Sequence, residues 1–323
     1  MKIAFVGKGG SGKTTLSAFF IQYLRSIQKP VLAVDADINM HLASLLGYEE
    51  LTESKLHISN PDNVRDIKTI LRGSNPAIAE LVHFRKSTPP GNGSHLIYLD
   101  KAEEPIVTTY SIGEPQARLM VVGSYGTEGI GVSCYHNNLA VLENVLSHTV
   151  DGSRTVVADM VAGTDAFAST LHAQFDLLVL SVEPTRRGVE VLNQFRSLAE
   201  EAGILERLRV MGNKARSPED EFFIRENIPA EFLIGILFES DHLREIERTG
   251  EALDVQKMDT ERVFLMEKIL KDLESHALDP DIKLAKLQEL HRKYVAQDFI
   301  AERFGDLTSQ IDPSFSFKEA HAN

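Results

Sequence analysis

The sequence predicts an α/β protein built on a doubly wound, mostly parallel sheet that is flanked by helices. Short apolar runs recur along the 323 residues, and stretches with helical spacing separate most of them. A glycine-rich segment joins the first apolar run to the first helical stretch. Alternation of strand and helix is typical of parallel sheets. The 43% hydrophobic content is that of a globular protein that can bury a large core.

The elements follow in order from the first residues. Residues 3–6 form an apolar run that predicts a buried strand, and a helix is expected to follow the glycines. Later apolar runs predict strands over 31–34, 119–122, 155–158, 177–182, 208–211 and 233–237. Helices are expected over 189–202 and 261–273. Because ligands of such sheets bind at the carboxyl ends of strands, the residues that follow these runs are the candidates for a site.

Two regions depart from this alternation. Residues 51–116 are less regular and contain the segment PPGNG, which predicts an insertion with a flexible loop in a domain that spans 1–275. Residues 276–323 are predicted to be a helical extension. One charged, amphipathic helix is expected over 279–304, and the tail from 311 onwards is expected to be loose.

Composition excludes several classes of function. A net charge of −13 and a pI of about 5.3 disfavour a nucleic-acid surface and docking on anionic lipid. No apolar run is long enough to span a membrane, and the amino terminus enters a strand at once, so we expect no signal peptide. A single cysteine excludes an internal disulfide. We therefore expect a cytoplasmic protein that binds neither nucleic acid nor membrane.

The glycine-rich segment, GKGGSGKT over 7–14, fits the phosphate-loop pattern G-x-x-x-x-G-K-[ST]. Glycines allow successive backbone N–H groups to point inwards, and the helix behind adds its positive end. Lys13 would reach the β- and γ-phosphates of a nucleotide, and the Thr14 hydroxyl would ligate Mg²⁺. A plain glycine-rich turn is the alternative. The residues expected to cradle the nucleotide are Gly9, Gly10, Ser11, Gly12, Lys13, Thr14 and Thr15.

Carboxylates end two of the predicted strands. Asp35 and Asp37 can serve Mg²⁺ and an attacking water, with Asp35 nearer the metal, although turn or capping aspartates are the alternative. Asp159 closes the run at 155–158 in the Walker B arrangement, which usually bonds Mg²⁺ through a water. Gly163 allows a backbone N–H to meet the γ-phosphate, unless it belongs to a simple strand-ending turn.

Asn213 ends a later strand and can offer its amide to a purine edge, although a turn residue is the alternative. GTPases pair a similar Asn-Lys with an aspartate two residues on, and that carboxylate reads guanine. Here the sequence over 213–216 is NKAR, without the carboxylate. Adenine, and hence ATP, is favoured over guanine.

Lys8 is the unusual residue of the loop, and in an arbitrary phosphate loop it would be a solvated surface lysine. KGGSGKT resembles the deviant phosphate loop K-G-G-x-G-K-[ST] of the ATPase family that includes MinD, ParA, nitrogenase iron protein and CooC. The resemblance implies a homodimer that sandwiches two ATP molecules, with Lys8 touching the nucleotide of the other subunit. It also implies that Asp37 orients the attacking water and that Asp159 and Gly163 belong to the second switch.

Within that family the chain looks most like the CooC branch, over roughly residues 1–275. The similar segments lie over 121–137, 159–163, 183–187, 212–220 and 234–245. This branch implies an ATP-driven dimer that helps to load nickel into carbon monoxide dehydrogenase or a related client enzyme. A MinD- or ParA-like regulatory or positioning ATPase is the alternative, as is a protein that binds ATP without hydrolysis. A single cysteine rules out the cluster of an iron protein.

One position departs from that branch. CooC proteins bind metal across the dimer through two cysteines one residue apart, and here Val132 stands in place of the first, which leaves Cys134. A dimer would then supply two thiolates, and His136 from each chain could complete a Cys₂His₂ site for Zn²⁺ or Ni²⁺. An isolated cysteine is more often a packing residue. Metal binding at Cys134 therefore stays open.

We expect Cys134→Ala to change metal binding little, because Val132 has already removed half of the thiolates that the branch uses. Equilibrium dialysis of the wild type and the variant against Zn²⁺ and Ni²⁺, with and without ATP, measures this. One metal ion per dimer, retained by the wild type alone, would contradict the expectation and restore metal delivery.

Overall fold

A computed structural model describes residues 1–48, 54–124, 136–150, 152–167 and 170–322. Within these ranges the strands are β1 (Lys2–Gly7), β2 (Val31–Ala36), β3 (Ile97–Tyr98), β4 (Ser111–Glu114), β5 (Ala117–Val121), β6 (Thr149–Val150), β7 (Thr155–Met160), β8 (Leu177–Val182), β9 (Leu208–Ala215) and β10 (Leu233–Phe238). The main sheet has the order β10-β9-β8-β1-β7-β2-β5-β4, and β3 pairs separately with β6. Only the edge strand β4 runs antiparallel to its neighbour among the described strands of the main sheet.

Helices cover both faces of the main sheet. The described helices are α1 (Lys13–Ser26), α2 (Leu42–Leu45), α3 (Pro61–Arg72), α4 (Pro105–Thr109), α5 (His136–Ser147), α6 (Arg186–Ala202), α7 (Pro218–Asn227), α8 (Asp241–Thr249), α9 (Thr260–Ser275), α10 (Pro280–Val295), α11 (Asp298–Phe304) and α12 (Phe317–Ala322). Apolar residues of α1 and α9 pack on one face, and those of α3, α5 and α6 pack on the other. This architecture confirms the predicted doubly wound, mostly parallel sheet. None of the described helices combines the length and the apolar content that a membrane crossing requires.

The central strands are apolar on both sides because both faces of the sheet are covered. In β1, Ile3 and Phe5 enter the core beneath α1, whereas Ala4 and Val6 enter the core on the opposite face. Parallel pairing aligns Asp35 of β2 with Asp159 of β7 at the same edge of the sheet. The register thus brings the predicted acidic residues together beside the end of β1.

The region predicted as an irregular insertion, 51–116, contains regular structure in its described part. Helix α3 begins after Asn60, whose side chain accepts a hydrogen bond from the Asp62 N–H, with Pro61 in the first turn. Its residues Ile67 and Leu71 are buried against the sheet. The helical spacing of these residues was present in the sequence, and the neighbouring prolines and glycines outweighed it in the prediction.

The extension also differs from its prediction. The single helix expected over 279–304 is two helices, α10 and α11, and the break at Ala296 lets Val295, Ile300 and Leu307 pack in one small core. The tail beyond 311 is not loose where it is described. Phe317 is buried, and its N–H donates to the Asp281 carboxylate at 2.8 Å.

A buried ion pair joins the extension to the main sheet. Asp176, just before β8, accepts hydrogen bonds from the N–H of Lys2 at 2.7 Å and the N–H of Leu278 at 2.9 Å. The Lys283 ammonium of α10 lies 2.8 Å from the same carboxylate, and both side chains are at most 5% exposed. Since Asp176 precedes its strand, the extension is fastened at the amino edge, opposite the phosphate loop.

We expect Lys283→Met to lower the free energy of unfolding by about 3 kcal/mol, because it leaves the Asp176 charge buried without its counter-ion. Lys286→Met is the matched control, since Lys286 pairs with Glu289 in a partly exposed bridge on the same helix. That variant should cost less than about 1 kcal/mol. Urea unfolding measures both, and equal losses would contradict a specific role of the buried pair.

Candidate nucleotide site

The predicted phosphate loop joins β1 to α1, as its motif requires. Gly10 and Gly12 both have φ of +83°, in the left-handed region that favours glycine. The Ser11 N–H closes a turn on the Lys8 carbonyl at 3.1 Å, and the Leu16 N–H begins the helical pattern on the Gly12 carbonyl at 3.0 Å. Two glycines without a Cβ therefore let the loop curl back over the start of α1.

Lys13 lies at the centre of the site. Its side chain is only 8% exposed, and its ammonium forms a close ion pair with Asp37 and lies 4.0 Å from Asp159. Burial by itself would raise the pKa of Asp37, but hydrogen bonds from Asn39 and Lys13 outweigh burial and hold that pKa below its ordinary value. Asp37 is therefore ionised at neutral pH, directly beside the loop.

Asp159 is fully buried, and neither of its carboxylate oxygens accepts a hydrogen bond of good geometry from the described part of the chain. Burial raises its pKa to about 6, while Lys13 and the nearby Thr14 hydroxyl offset part of the rise. Buried polar atoms normally have partners, so these oxygens call for a ligand. Carboxylate and hydroxyl oxygens are what Mg²⁺ takes, and Asp159 with Thr14 therefore fits that ion.

Asp35 accepts hydrogen bonds from two backbone groups, and the place beside the metal that the sequence predicts for it stays a prediction. Its two carboxylate oxygens accept hydrogen bonds from the N–H groups of Asp37 at 3.1 Å and Leu42 at 3.0 Å. Burial and the charge of Asp159 raise its pKa to about 8. The geometry favours the alternative of a turn and capping residue, which shapes the segment that carries Asp37.

Gly163 lies against the phosphate loop, where its N–H donates to the Gly7 carbonyl at 3.0 Å. This contact couples the segment after β7 directly to the first residue of the motif. The second-switch role of Gly163 and its contact with a γ-phosphate both stay predictions.

Asn213 lies under the loop. Its amide nitrogen donates to the Ser11 carbonyl at 2.8 Å, and its amide oxygen accepts from the Lys214 N–H at 2.9 Å. The purine contact predicted for Asn213 stays a prediction, and both ends of its amide make hydrogen bonds within the protein.

The Ser181 hydroxyl also donates to the Ser11 carbonyl, at 2.8 Å. Sequence reasoning missed Ser181, and its one signal was a hydroxyl in the otherwise apolar strand β8.

A cleft of about 450 Å³ opens above the loop. Of the residues predicted to cradle the nucleotide, all but Ser11 line this cleft. Ser11 is buried, on the side of the loop that faces away from the cleft. The lining residues are Gly9, Gly10, Gly12, Lys13, Thr14, Thr15, Asp37, Asn39, His41, Ser44, Leu45, Ala162, Lys214, Ile246 and Gly250. Ser44 and Leu45 of α2 and Ile246 of α8 belong to no sequence motif, so the sequence did not predict their place in the cleft.

Two of the predicted site residues, Lys8 and Cys134, are not among the described residues that line the cleft. Lys8 is exposed, and its ammonium bonds to none of the residues in the described ranges. Cys134 lies in the segment 125–135, which is not among the described residues, so its metal role is not addressed by the geometry. Across the part of the chain that is described, no group of three or more His, Cys, Asp and Glu side chains could hold a metal ion.

The chain matches known proteins over most of its length. It is 29% identical to the carbon monoxide dehydrogenase accessory protein CooC of Rhodospirillum rubrum over 237 residues, which covers 73% of this chain and 82% of that protein. It is 27% identical to an uncharacterised ATP-binding protein of Methanocaldococcus jannaschii, covering 73% and 83% of the two chains.

Solved structures share the fold at lower identity. A plasmid partition protein of Borrelia burgdorferi bound to AMPPNP has a TM-score of 0.52 at 16% identity and covers 85% of this chain and 99% of its own. The cell-division ATPase MinD of Pyrococcus furiosus has a TM-score of 0.51 at 18% identity, with the same coverage. The family described as the CobQ/CobB/MinD/ParA nucleotide-binding domain matches residues 3–287. This chain therefore belongs to that family of nucleotide-binding domains, as its sequence predicted.

Proposed function

We propose that this protein is a Mg²⁺-dependent ATPase that works as a homodimeric switch and assists the maturation or metallation of a client enzyme. The observation that carries the ATPase proposal is the position of Lys13, at the phosphate loop and between two buried carboxylates. The similarity to an accessory protein of carbon monoxide dehydrogenase supports the accessory role. The likeness to partition and cell-division proteins is one of fold, and it supports no positioning role.

Lys13 and Asp37 have complementary tasks in this proposal. The ammonium would exchange its carboxylate partner for the β- and γ-phosphates, where it neutralises charge that develops during phosphoryl transfer. Asp37 would then be free to accept a hydrogen bond from the attacking water and to orient it. Because the pKa of Asp37 is below its ordinary value, the carboxylate is in the accepting form at neutral pH.

Asp159 and Thr14 would hold Mg²⁺. Held there, Mg²⁺ would supply positive charge that offsets the negative charge of the phosphates. The support for this assignment is the buried carboxylate of Asp159, which lies near the Thr14 hydroxyl and accepts no hydrogen bond of good geometry from the described residues. Placing a carboxylate in this state costs free energy in the absence of a cation, which favours the loaded site over the empty one.

Lys8 would act across the dimer. Its exposed ammonium is within the loop and uncommitted to any residue in the described ranges, so it is available to a second copy of the chain. A Zn²⁺ or Ni²⁺ ion at Cys134 would belong to the same interface, and its place in the proposal depends on the dialysis experiment with Cys134→Ala.

We expect Asp37→Ala to bind ATP and to hydrolyse it at least about 100-fold more slowly, because the phosphate loop is intact while the water-orienting carboxylate is gone. The variant should accumulate as an ATP-bound dimer. Lys13→Ala is its matched control and should lose tight ATP binding. Steady-state turnover, equilibrium binding and sedimentation with Mg²⁺ and ATP measure these properties. A monomeric Asp37→Ala variant with wild-type turnover would refute both the role and the dimeric switch.

The accessory role has its own experiment. A client of the carbon monoxide dehydrogenase class, prepared without nickel, is incubated with nickel, ATP and either the wild type or Lys13→Ala. Activation by the wild type alone is expected. Equal activation by both would show that ATP use and client maturation are unrelated.

We expect Asp159→Asn to raise the free energy of unfolding by about 2 kcal/mol above pH 7, without nucleotide or divalent cation, because Lys13 is shared with Asp37 and the substitution removes a buried charge that is only partly neutralised. The pKa of Asp159 is raised to about 6 from an ordinary value of 3.8, so the folded state holds this proton more tightly. The wild type therefore loses stability as the pH rises from about 4 to about 6, and the gain of the variant should grow over that window.

Denaturant unfolding between pH 4 and 8 measures this gain. The control is Asp66→Asn, at an exposed carboxylate of α3, which should show no such growth with pH. An Asp159→Asn protein that is no more stable than the wild type at pH 7.5 would mean that the carboxylate is well satisfied, against the magnesium assignment.

A further inference from the structure

Three side chains from two neighbouring strands converge on two consecutive carbonyl groups of the phosphate loop. The Lys214 ammonium donates to the Gly10 carbonyl at 2.7 Å. The Asn213 amide and the Ser181 hydroxyl both donate to the Ser11 carbonyl, each at 2.8 Å. Side chains at the carboxyl ends of β8 and β9 thus hold two carbonyl groups of the loop by hydrogen bonds.

These three hydrogen bonds determine the directions in which the loop points its N–H groups. A trans peptide unit is planar, so its C=O and N–H point in opposite directions. Fixing the Gly10 carbonyl fixes the N–H of Ser11, which closes the internal turn on Lys8. Fixing the Ser11 carbonyl towards β8 and β9 turns the N–H of Gly12 away from those strands, to the side where Gly12 lines the cleft. The Gly12 N–H is therefore oriented towards the cleft through the Ser11 carbonyl, while the Gly10 carbonyl holds the internal turn in place.

The backbone around Lys214 adds an independent observation. Lys214 has φ of +60°, a left-handed conformation that a lysine adopts only at a cost. The Asn213 side-chain oxygen accepts the Lys214 N–H and holds this conformation, in which the lysine side chain returns to Gly10. The fit to the loop is also tight, since a Cβ at Gly12 would lie 2.5 Å from the Asn213 amide nitrogen.

We propose that Asn213 and Lys214 form a clamp that positions the phosphate loop, and that they support binding of the triphosphate chain independently of the base. This inference rests on the proposed binding of ATP. It needs no purine-reading role of Asn213, because the amide nitrogen and the amide oxygen already make hydrogen bonds inside the protein. The ligand class that depends on the clamp is any magnesium-bound triphosphate, including inorganic tripolyphosphate.

The test compares ligands that share phosphates and differ in base. Dissociation constants of Mg²⁺ complexes of ATP, GTP and inorganic tripolyphosphate are measured for the wild type, Asn213→Ala and Lys214→Met. Each variant should weaken all three ligands by a common factor of about tenfold, as expected for the loss of hydrogen bonds that organise the site. For ATP hydrolysis, KM should rise by that factor while kcat changes less than about twofold.

Further variants separate the clamp from general damage to the fold. Lys214→Gly relieves the left-handed backbone and removes the ammonium, so it should fold at least as well as the wild type and still bind triphosphates weakly. Lys214→Arg keeps a charged donor and should recover most of the affinity. Lys29→Met is the matched control, because Lys29 is 38% exposed against 36% for Lys214 and pairs with Glu274 elsewhere. It should bind all three ligands as the wild type does.

The outcomes are distinct. If Asn213→Ala weakens ATP and leaves tripolyphosphate unchanged, Asn213 reads the base and the clamp is refuted. If Lys214→Gly binds every ligand as the wild type does, Lys214 has no positioning role. A wild type that binds neither ATP nor tripolyphosphate would overturn the proposed function itself.

Discussion

The interaction on which the site depends is the buried contact between Lys13 and the carboxylates at the end of the parallel strands. One ammonium lies close to Asp37 and Asp159, with Asp35 behind them. One cation cannot neutralise three carboxylates in a low dielectric, so the excess negative charge must be protonated or matched by another cation. Burial and mutual repulsion raise the pKa of Asp35 to about 8 and that of Asp159 to about 6. In the proposed function, Mg²⁺ would balance the part of this negative charge that Lys13 does not neutralise.

The buried carboxylates at the amino and carboxyl edges of the sheet differ in how they are bonded. At the amino edge, Asp176 has a lysine counter-ion and two backbone donors, and the helical extension is fastened there. At the carboxyl edge, Asp159 is equally buried, but its nearest cation is the Lys13 ammonium 4.0 Å away, which also pairs with Asp37, and no backbone donor reaches its oxygens from the described residues. The carboxylate at the amino edge is therefore fully partnered, whereas the one at the carboxyl edge has oxygens left for a ligand. The proposed switch would need such a site, because a fully satisfied site would gain little from binding.

The local parts of the fold and site could be predicted because their causes are local. Continuous apolar runs predicted the strands, and the spacing of glycine, lysine and threonine predicted the loop between β1 and α1. The break between α10 and α11 could not be predicted, since it exists to bring Val295 and Leu307 into one core. Nor could the ordered tail around Phe317, whose partner Asp281 lies on another helix. Such contacts join residues that no sequence period connects.

The sequence by itself determined the α/β class, the phosphate loop with Lys13 and Thr14, and the acidic strand ends, because backbone spacing and strand order dictate these features. Only the tertiary structure decided what those groups do to one another. Parallel register aligned Asp35 with Asp159, and the fold gave Asp35 two backbone donors while the oxygens of Asp159 have no hydrogen bond of good geometry among the described residues. The meeting of β8 and β9 with the loop turned Asn213 and Lys214 towards its carbonyls. Hydrogen bonds depend on distances and directions in space, and these arise only when strands distant in the chain are paired.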